Sequence, residues 1–464
     1  MEIPKTTFSK TKAPVQIVTK IWVISVVMEP LLFFVLADRT QVGIGLNFSR
    51  LLQVMVVGIL LLNFLVRKTF FNTKNGFGLI STYSLSILYI FISTLILILL
   101  DAYPTPTALS DSKSLVDYFN SNEVRPAIEA FIILYQFFYF LVLPLLLLKR
   151  KVDFDYFFKI LFFFLALHYI LGYIDFFVNL QGQQFIPRHL ADGVYVGLRW
   201  HGIAGEPRDA AAYNLSLFFI LATYSIYKYG SVIKINIAFC ILLLLSLLLT
   251  FSASFIVGVI ISAGLICLIY LIRLKFIELV KCGAIGVVIC TAIYFVAITS
   301  DRLVDYYNAY NEILFNLYKD PYIELPDLIG NSFNNVYPLI YILRDILLEL
   351  NIYALLFGYG IGSSGVVNQN IYGVFYNPNN QLVRIVFEYG LVGFGILIFG
   401  IVKFFKRATI SIDRKSKNFL LLALLLMIGG VLAHRSNVWI IWLGIFGAVS
   451  LYKTRFLSFN PINK

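Results

Sequence analysis

Long apolar runs, separated by short polar segments, recur along the whole chain. Each run is about 17–25 residues long, which is the length that a helix needs to cross the ~30 Å hydrocarbon layer of a membrane. The pattern therefore predicts twelve membrane-spanning helices. They lie at 19–37, 45–66, 77–100, 127–148, 156–178, 209–227, 232–251, 254–272, 277–299, 381–402, 417–433 and 437–453.

The composition points to the same class of protein. Of the 464 residues, 59% are hydrophobic and only 13% are charged, and the mean hydropathy is +0.84. A water-soluble chain carries far more charge than this. The composition excludes a soluble enzyme and predicts an all-α polytopic membrane protein.

Lysine and arginine are concentrated in every second connection between the predicted spans. The positive-inside rule assigns these connections, and with them both termini, to the cytoplasm. The net charge of +12 then faces anionic membrane lipid, so we expect no nucleic-acid partner. The basic clusters lie in the N-terminal tail and in 67–74, 149–159, 228–234, 273–281, 403–417 and 453–464.

Three of the predicted external segments are long, at 101–126, 179–208 and 300–380. Loops of this length are usually functional or disordered. The chain thus divides into spans one to nine within 1–299, a large external loop at 300–380, and spans ten to twelve within 381–464. Apolar residues at helical spacing in 339–357 predict an amphipathic helix in the large loop. Such a helix lies on the membrane, caps a cavity, or simply covers the outer mouth of the bundle.

Two arginines, a histidine and two carboxylates lie within eleven residues before the sixth span, as Arg199, His201, Glu206, Arg208 and Asp209. Arginine supplies fixed donors for phosphate or pyrophosphate. A carboxylate or histidine could take a proton from a sugar hydroxyl. An interfacial loop leading into a capped helix is the alternative interpretation, and it explains the arginines less well.

A second cluster opens the tenth span. Closely spaced glycines, including Gly358 and Gly360, would let backbone amides approach an anionic or sugar ligand. Downstream, Arg384 and Glu388 stand four residues apart on one helix face, just inside the membrane. They predict either a polar cavity or a mutual salt bridge that fixes the helix.

Isolated residues give weaker signals. Glu29 precedes a proline in the first span and is expected to have a partner at a kink, while His168 is expected to be a satisfied interior histidine. Trp22, Trp439 and Trp442 are interpreted as interfacial anchors. No spacing of histidine, cysteine or carboxylate residues indicates a metal site.

The motifs, taken in the order in which they occur along the chain, resemble those of the O-antigen polymerase and ligase superfamily of bacterial envelope glycan assembly. The resemblance covers roughly 195–395. It rests on Arg199-x2-Gly202-x4-Pro207 before a span, on Arg344 and Leu355-Leu356-Phe357-Gly358-x-Gly360-x-Gly362 in the large loop, and on Asn379-Asn380-x2-Leu-x4-Glu388-x-Gly390-Leu-x-Gly393 opening the next span.

The resemblance implies a metal-independent inverting glycosyltransferase of GT-C-like architecture that needs no cofactor. Ligases of the family typically carry histidine where Asn379 stands, which favours the polymerase. A polymerase transfers a growing glycan from undecaprenyl pyrophosphate onto the next lipid-linked repeat unit, at the outer face of the bacterial cytoplasmic (inner) membrane. A flippase and a chain-length regulator of the same pathway are its expected partners.

In this interpretation, arginines hold the leaving pyrophosphate and a base activates the acceptor hydroxyl. Glycines 358 and 360 and the adjacent asparagines are expected to line the substrate site. The pyrophosphate candidates are Arg199, Arg208, Arg384, Arg344 and Arg435; the candidate bases are Glu206, His201 and Glu388; and the lining residues are Gly358, Gly360, Asn379 and Asn380.

Two other classes of function remain open. An O-antigen ligase or another lipid-linked glycan transferase would use the same kinds of residue. A lipid-linked glycan flippase or a secondary transporter also commonly has about twelve spans. Transporters built of two six-helix halves usually join them by a central connection, whereas here the joint at 228–232 is short and the conspicuous loop follows the ninth span.

Overall fold

The computed structural model is an all-α membrane protein in which apolar helices are packed side by side. Its helices are α1 (Ala13–Met28), α2 (Phe48–Arg67), α3 (Phe77–Leu99), α4 (Arg125–Leu147, with a π-helical stretch at Phe137–Val142), α5 (Lys151–Asn179), α6 (Pro207–Tyr229), α7 (Ile237–Leu249), α8 (Ala253–Ile272), α9 (Ile352–Phe357), α10 (Ser363–Tyr372), α11 (Gln381–Ala408), α12 (Arg414–Ala433) and α13 (Val438–Phe459). The structure describes residues 13–30, 35–37, 46–67, 77–100, 104, 124–183, 185–186, 199–204, 207–232, 237–250, 252–272, 280, 283, 291, 308, 311, 315, 319, 352–372, 381–433 and 438–459.

Six of these helices, α3, α4, α5, α6, α11 and α12, are long and apolar enough to cross a membrane. In a hydrocarbon layer every backbone N–H and C=O must bond internally, and a helix satisfies this within one segment. The membrane class predicted from the sequence is therefore confirmed, and the count of twelve spans stays a prediction. The predicted ninth span at 277–299 and the start of the predicted amphipathic helix at 339–350 lie outside the described residues, apart from single positions.

The first predicted span is wrong in its second half. Helix α1 ends at Met28, just before Pro30, and the chain then forms a short strand β1 (Val35–Ala37) that pairs antiparallel with β2 (Leu46–Asn47). Proline lacks the N–H that a longer helix would need. The partner expected for Glu29 is present, because its carboxylate accepts hydrogen bonds of 2.6 Å from both Ser49 and Gln53.

Hydrogen bonds between helix ends show that the helices alternate in direction. Tyr227, near the end of α6, donates to Asp155 near the start of α5 at 2.7 Å, and the N–H of Val232 donates to Ser416 near the start of α12 at 3.0 Å. The start of α5 and the ends of α6 and α11 therefore lie at one end of the bundle, here called the basic end. The starts of α4, α6 and α11 and the end of α5 lie at the opposite end, here called the site end.

Tryptophan side chains lie in the core of this bundle. Trp22 and Trp442 are fully buried, and their indole N–H groups donate to the Tyr139 carbonyl and the Ser216 hydroxyl. Their predicted role as interfacial anchors is wrong, because a buried indole with an internal acceptor has no need of the membrane surface. Exposed apolar side chains such as Phe131 lie on the outer helix faces, where they would contact lipid.

Candidate functional site

The segment 199–204 enters the bundle at the site end. The N–H of Trp200 donates to the Leu249 carbonyl at 2.9 Å, and Arg199 Nε donates to the Thr250 carbonyl at 2.8 Å, so the segment is tied to the end of α7. Gly202 has a φ of 56°, and a Cβ at that position would lie 2.2 Å from the His168 ring. Only glycine permits this backbone path against α5.

His201 is held against Asp175, near the end of α5. His201 Nε2 lies 3.0 Å from Asp175 Oδ2, and both side chains are almost fully buried. The carboxylate is itself fixed, because it accepts the Asn179 side-chain amide at 2.9 Å and the Ile186 N–H at 2.6 Å. Neither ring nitrogen of His201 makes a hydrogen bond of good geometry to the residues that the structure describes, so the contact of Nε2 with Asp175 is defined by its short distance, and Nδ1 has no polar partner there.

A histidine placed in this way is suited to proton transfer. A carboxylate beside one ring nitrogen fixes the orientation of the ring and keeps the proton on that nitrogen, which leaves the other nitrogen as an acceptor. The same division of roles, with a carboxylate orienting a histidine base, recurs in unrelated enzymes. Asp175 was not among the residues singled out from the sequence, although an acidic residue inside an apolar span was the available signal.

Arg384 and Glu388 belong to a second buried cluster. Arg384 Nε lies 2.8 Å from Glu388 Oε1, as the alternative of a mutual salt bridge predicted, and Arg384 Nη2 lies 3.0 Å from Glu129 Oε2 on α4. Arg125 pairs with the other oxygen of Glu129, and the Ser364 hydroxyl donates to Glu388 at 2.6 Å. Two arginines and two glutamates thus neutralise one another inside the protein.

The glycine-rich stretch supplies hydrogen bonds to a break in helix α11. Gly390 has φ 66° and ψ −177°, which interrupts the helix and leaves carbonyl groups without their usual N–H donors. The backbone N–H groups of Tyr359 and Gly360 donate to the carbonyls of Phe387 and Glu388, each at 2.9 Å. The Gly360 amide, which was predicted to face a ligand, therefore bonds to protein backbone.

Close packing at the break requires glycine on both sides. A Cβ on Gly358, where φ is 76°, would lie 2.5 Å from the Glu388 carbonyl carbon, and one on Gly390 would lie 2.2 Å from the Leu356 carbonyl oxygen. Ile361 then donates its N–H to the Thr94 hydroxyl at 3.0 Å. These contacts place the end of the large loop against α3 and α11 at the site end.

The remaining predicted site residues are placed as follows. Arg199 is partly exposed, and so are Arg208 and Asp209 in the first turn of α6. The residues that lie outside the described part of the chain are Glu206, Arg344, Asn379, Asn380 and Arg435. The structure brings His201 and Asp175 together in one group, and Arg384, Glu129 and Glu388 in another.

Within the described residues, no three histidine, cysteine or carboxylate side chains form a group that could hold a metal ion. The metal-free mechanism stays a prediction. Comparison of the chain with known protein families, with curated proteins and with solved structures gives no match. The resemblance to the O-antigen superfamily thus rests on the sequence motifs alone, and the geometry of the two clusters is the independent basis for a functional proposal.

Proposed function

We propose that this protein is the polymerase of a bacterial surface polysaccharide such as an O-antigen or a capsule. It would transfer the growing glycan from undecaprenyl pyrophosphate to the next lipid-linked repeat unit at the outer face of the cytoplasmic membrane. The basic end would face the cytoplasm, in accordance with the positive-inside rule, and the site end would face outward. The observation that carries the proposal is the buried pair of His201 and Asp175 at the site end.

In the proposed reaction, the acceptor hydroxyl attacks the anomeric carbon of the growing glycan. The hydroxyl proton passes to His201 Nδ1, the bond from the anomeric carbon to the phosphate oxygen breaks, and undecaprenyl pyrophosphate leaves with the electron pair. Asp175 is a positioning residue, because it holds the histidine rather than the substrate. A buried base would act out of contact with water, which protects the glycosyl donor from hydrolysis.

The departing pyrophosphate needs positive charge. Arg199 and Arg208 are partly exposed and flank the His201 segment in sequence, so they are the favoured ligands. Arg384 is a weaker candidate than the sequence indicated, since its guanidinium is paired with the carboxylates of Glu129 and Glu388. Its place in this proposal is to hold α11 against α4.

The test compares two carboxylates on the same helix. Asp175→Asn and His201→Gln should lower kcat by about 10²–10⁴-fold with KM nearly unchanged, when purified protein extends lipid-linked repeat units. Asp153→Asn, at the opposite end of α5, is the matched control and should keep its activity. If Asp175→Asn and His201→Gln both retain full activity at normal protein levels, the proposed base is wrong.

The material that accumulates in a mutant cell separates a polymerase from a ligase. Loss of a polymerase leaves single repeat units, whereas loss of a ligase leaves long chains on the lipid carrier. We expect single repeat units in the His201→Gln cell. Long carrier-linked chains would show that the protein is a ligase.

One observation favours a different class, a flippase or secondary transporter. Discontinuous membrane helices with buried charges often form transport sites, and α11 is broken at Gly390 beside Glu388. In a cell that lacks a flippase, repeat units stay on the inner leaflet and resist a glycan-cleaving enzyme added from outside. Units that the added enzyme cleaves in the His201→Gln cell would exclude this alternative.

A further inference from the structure

Four buried polar groups lie in one region of the bundle, close to His168 on α5. His168 Nε2, Trp200 Nε1, His201 Nδ1 and the Tyr213 hydroxyl have no hydrogen-bond partner among the described residues, and all four side chains are at most 1% exposed. The rings of Trp200 and Tyr213 lie 5.0 and 5.3 Å from that of His168, centroid to centroid. His201 follows Trp200 directly in the chain.

The neighbouring polar side chains behave differently. The Tyr169 hydroxyl donates to Asn214 Oδ1 at 3.2 Å, and Asn214 Nδ2 donates to the Ser246 hydroxyl at 3.1 Å. Buried polar groups in proteins nearly always have a partner, and Tyr169, Asn214 and Ser246 supply one another with direct partners. Four buried groups without a partner among the described residues, close to a single histidine, are what a site for a small polar ligand requires.

The donor or acceptor character of each group defines the hydrogen bonds that a ligand must offer. His168 Nδ1 accepts the Ile203 N–H at 3.1 Å, so in the neutral ring the proton is on Nε2, which becomes a donor. Trp200 Nε1 is a donor only. Because the Asp175 carboxylate lies 3.0 Å from His201 Nε2, it favours the proton on that nitrogen, which makes His201 Nδ1 the acceptor.

The four groups comprise two donors, one acceptor and a hydroxyl that can both donate and accept. A second hydroxyl group can satisfy all of them. We propose that His168, Trp200, His201 and Tyr213 form a buried hydroxyl-binding site. A bound hydroxyl would accept hydrogen bonds from the two N–H donors and donate its proton to His201 Nδ1. Buried water typically makes about three such bonds, and a sugar hydroxyl offers the same chemistry. The site follows from the hydrogen-bonding groups alone and does not depend on the polymerase proposal.

The direct test is a high-resolution electron cryomicroscopy map of the purified full chain in lipid nanodiscs. We expect density within hydrogen-bonding distance of His201 Nδ1 and His168 Nε2. A compact, isolated peak would identify water, and density continuous with a sugar ring would identify a glycan hydroxyl. A map that shows the four side chains and no density between them would overturn the proposal.

A second test is whether the Tyr213→Phe substitution lowers or raises the melting temperature. If the Tyr213 hydroxyl binds a ligand hydroxyl, Tyr213→Phe removes a hydrogen bond and should lower the melting temperature by about 1–2 °C. If that hydroxyl is buried with nothing to bond, its removal should raise the melting temperature. Tyr169→Phe, which loses a direct bond to Asn214, is the control that must show a decrease. An unchanged or raised value for Tyr213→Phe alone would contradict the proposal.

Discussion

The backbone N–H of Tyr359 donates to the carbonyl oxygen of Phe387 at 2.9 Å, and the two rings stack with their centroids 4.7 Å apart. One residue belongs to the large loop and the other to a broken membrane helix. The hydrogen bond between them joins the loop to the helix through backbone atoms, so it does not depend on the identity of either side chain. The described end of the large loop is therefore bound directly to α11.

Gly390→Ala should destabilise the protein strongly. A φ of 66° with a ψ of −177° is a conformation that only glycine adopts readily, and a Cβ would lie 2.2 Å from the Leu356 carbonyl oxygen. We expect a loss of about 3 kcal/mol or more, measured as a lower melting temperature in detergent. Gly395→Ala is the matched control, since a Cβ there meets nothing within 4 Å. Equal melting of the two variants would show that α11 is not broken.

Glu129→Gln should also destabilise the protein, because it leaves two buried arginines with one fewer carboxylate. Breaking a buried ion pair costs about 3–5 kcal/mol. The control is Arg150→Ala, whose partner is Asp153 and whose side chain is 48% exposed; an exposed pair contributes less than about 1 kcal/mol. Denaturation of both variants in mixed micelles measures the difference. Losses of similar size would mean that the buried cluster is well hydrated.

Arg199 should act through its planar guanidinium rather than its charge alone. Arg199→Ala should abolish polymer while the protein still inserts at a normal level, and Arg199→Lys should restore it poorly, because an ammonium group cannot bind phosphate through two parallel hydrogen bonds. Gel analysis of surface polysaccharide gives the readout. Arg407→Ala, at the basic end, should leave polymer unaffected. Full polymer in the Arg199→Ala cell would remove this residue from the site.

The orientation of the chain can be tested by reporter fusions. A reporter that is active only outside the cytoplasm should be active when fused within 311–335 and inactive when fused at Arg407, since basic connections remain in the cytoplasm. The opposite pattern would place the site end inside the cell. A transferase facing outward would then be excluded.

Asp413 caps the start of α12, and its effect on stability should depend on pH. Its carboxylate accepts hydrogen bonds from the Ser416 side chain and N–H, the latter at 2.9 Å, and these bonds lower its pKa below the ordinary value of 3.8. A lowered pKa means that the stabilisation is present above pH 3.8 and is lost as the pH falls through the lower value of the folded protein. Asp413→Ala should cost about 1 kcal/mol at neutral pH. Melting curves of both proteins should converge at low pH.

The sequence predicts helices more reliably than it predicts the partners of their polar residues. Apolar length identified the six helices that are long enough to cross a membrane, and spacing of four residues placed Arg384 and Glu388 on one face. Glu129 and Asp175 were missed as site residues because their roles depend on packing between helices far apart in the chain. The break at Gly390 gave no signal, since a glycine within an apolar run is common in membrane helices.

The position of that break has a consequence for how the protein is inserted. At 1.5 Å per residue, the stretch 391–408 is about 27 Å long and nearly crosses the membrane alone, whereas 381–389 reaches only about 14 Å. The longer part can leave the translocon as an ordinary span. The shorter part cannot anchor itself, and its terminal carbonyls at Phe387 and Glu388 have no donors until Tyr359 and Gly360 arrive. Tyr359 and Gly360, although synthesised earlier, must therefore dock against the inserted helix before these carbonyls are satisfied, so α11 is completed only when both segments are present.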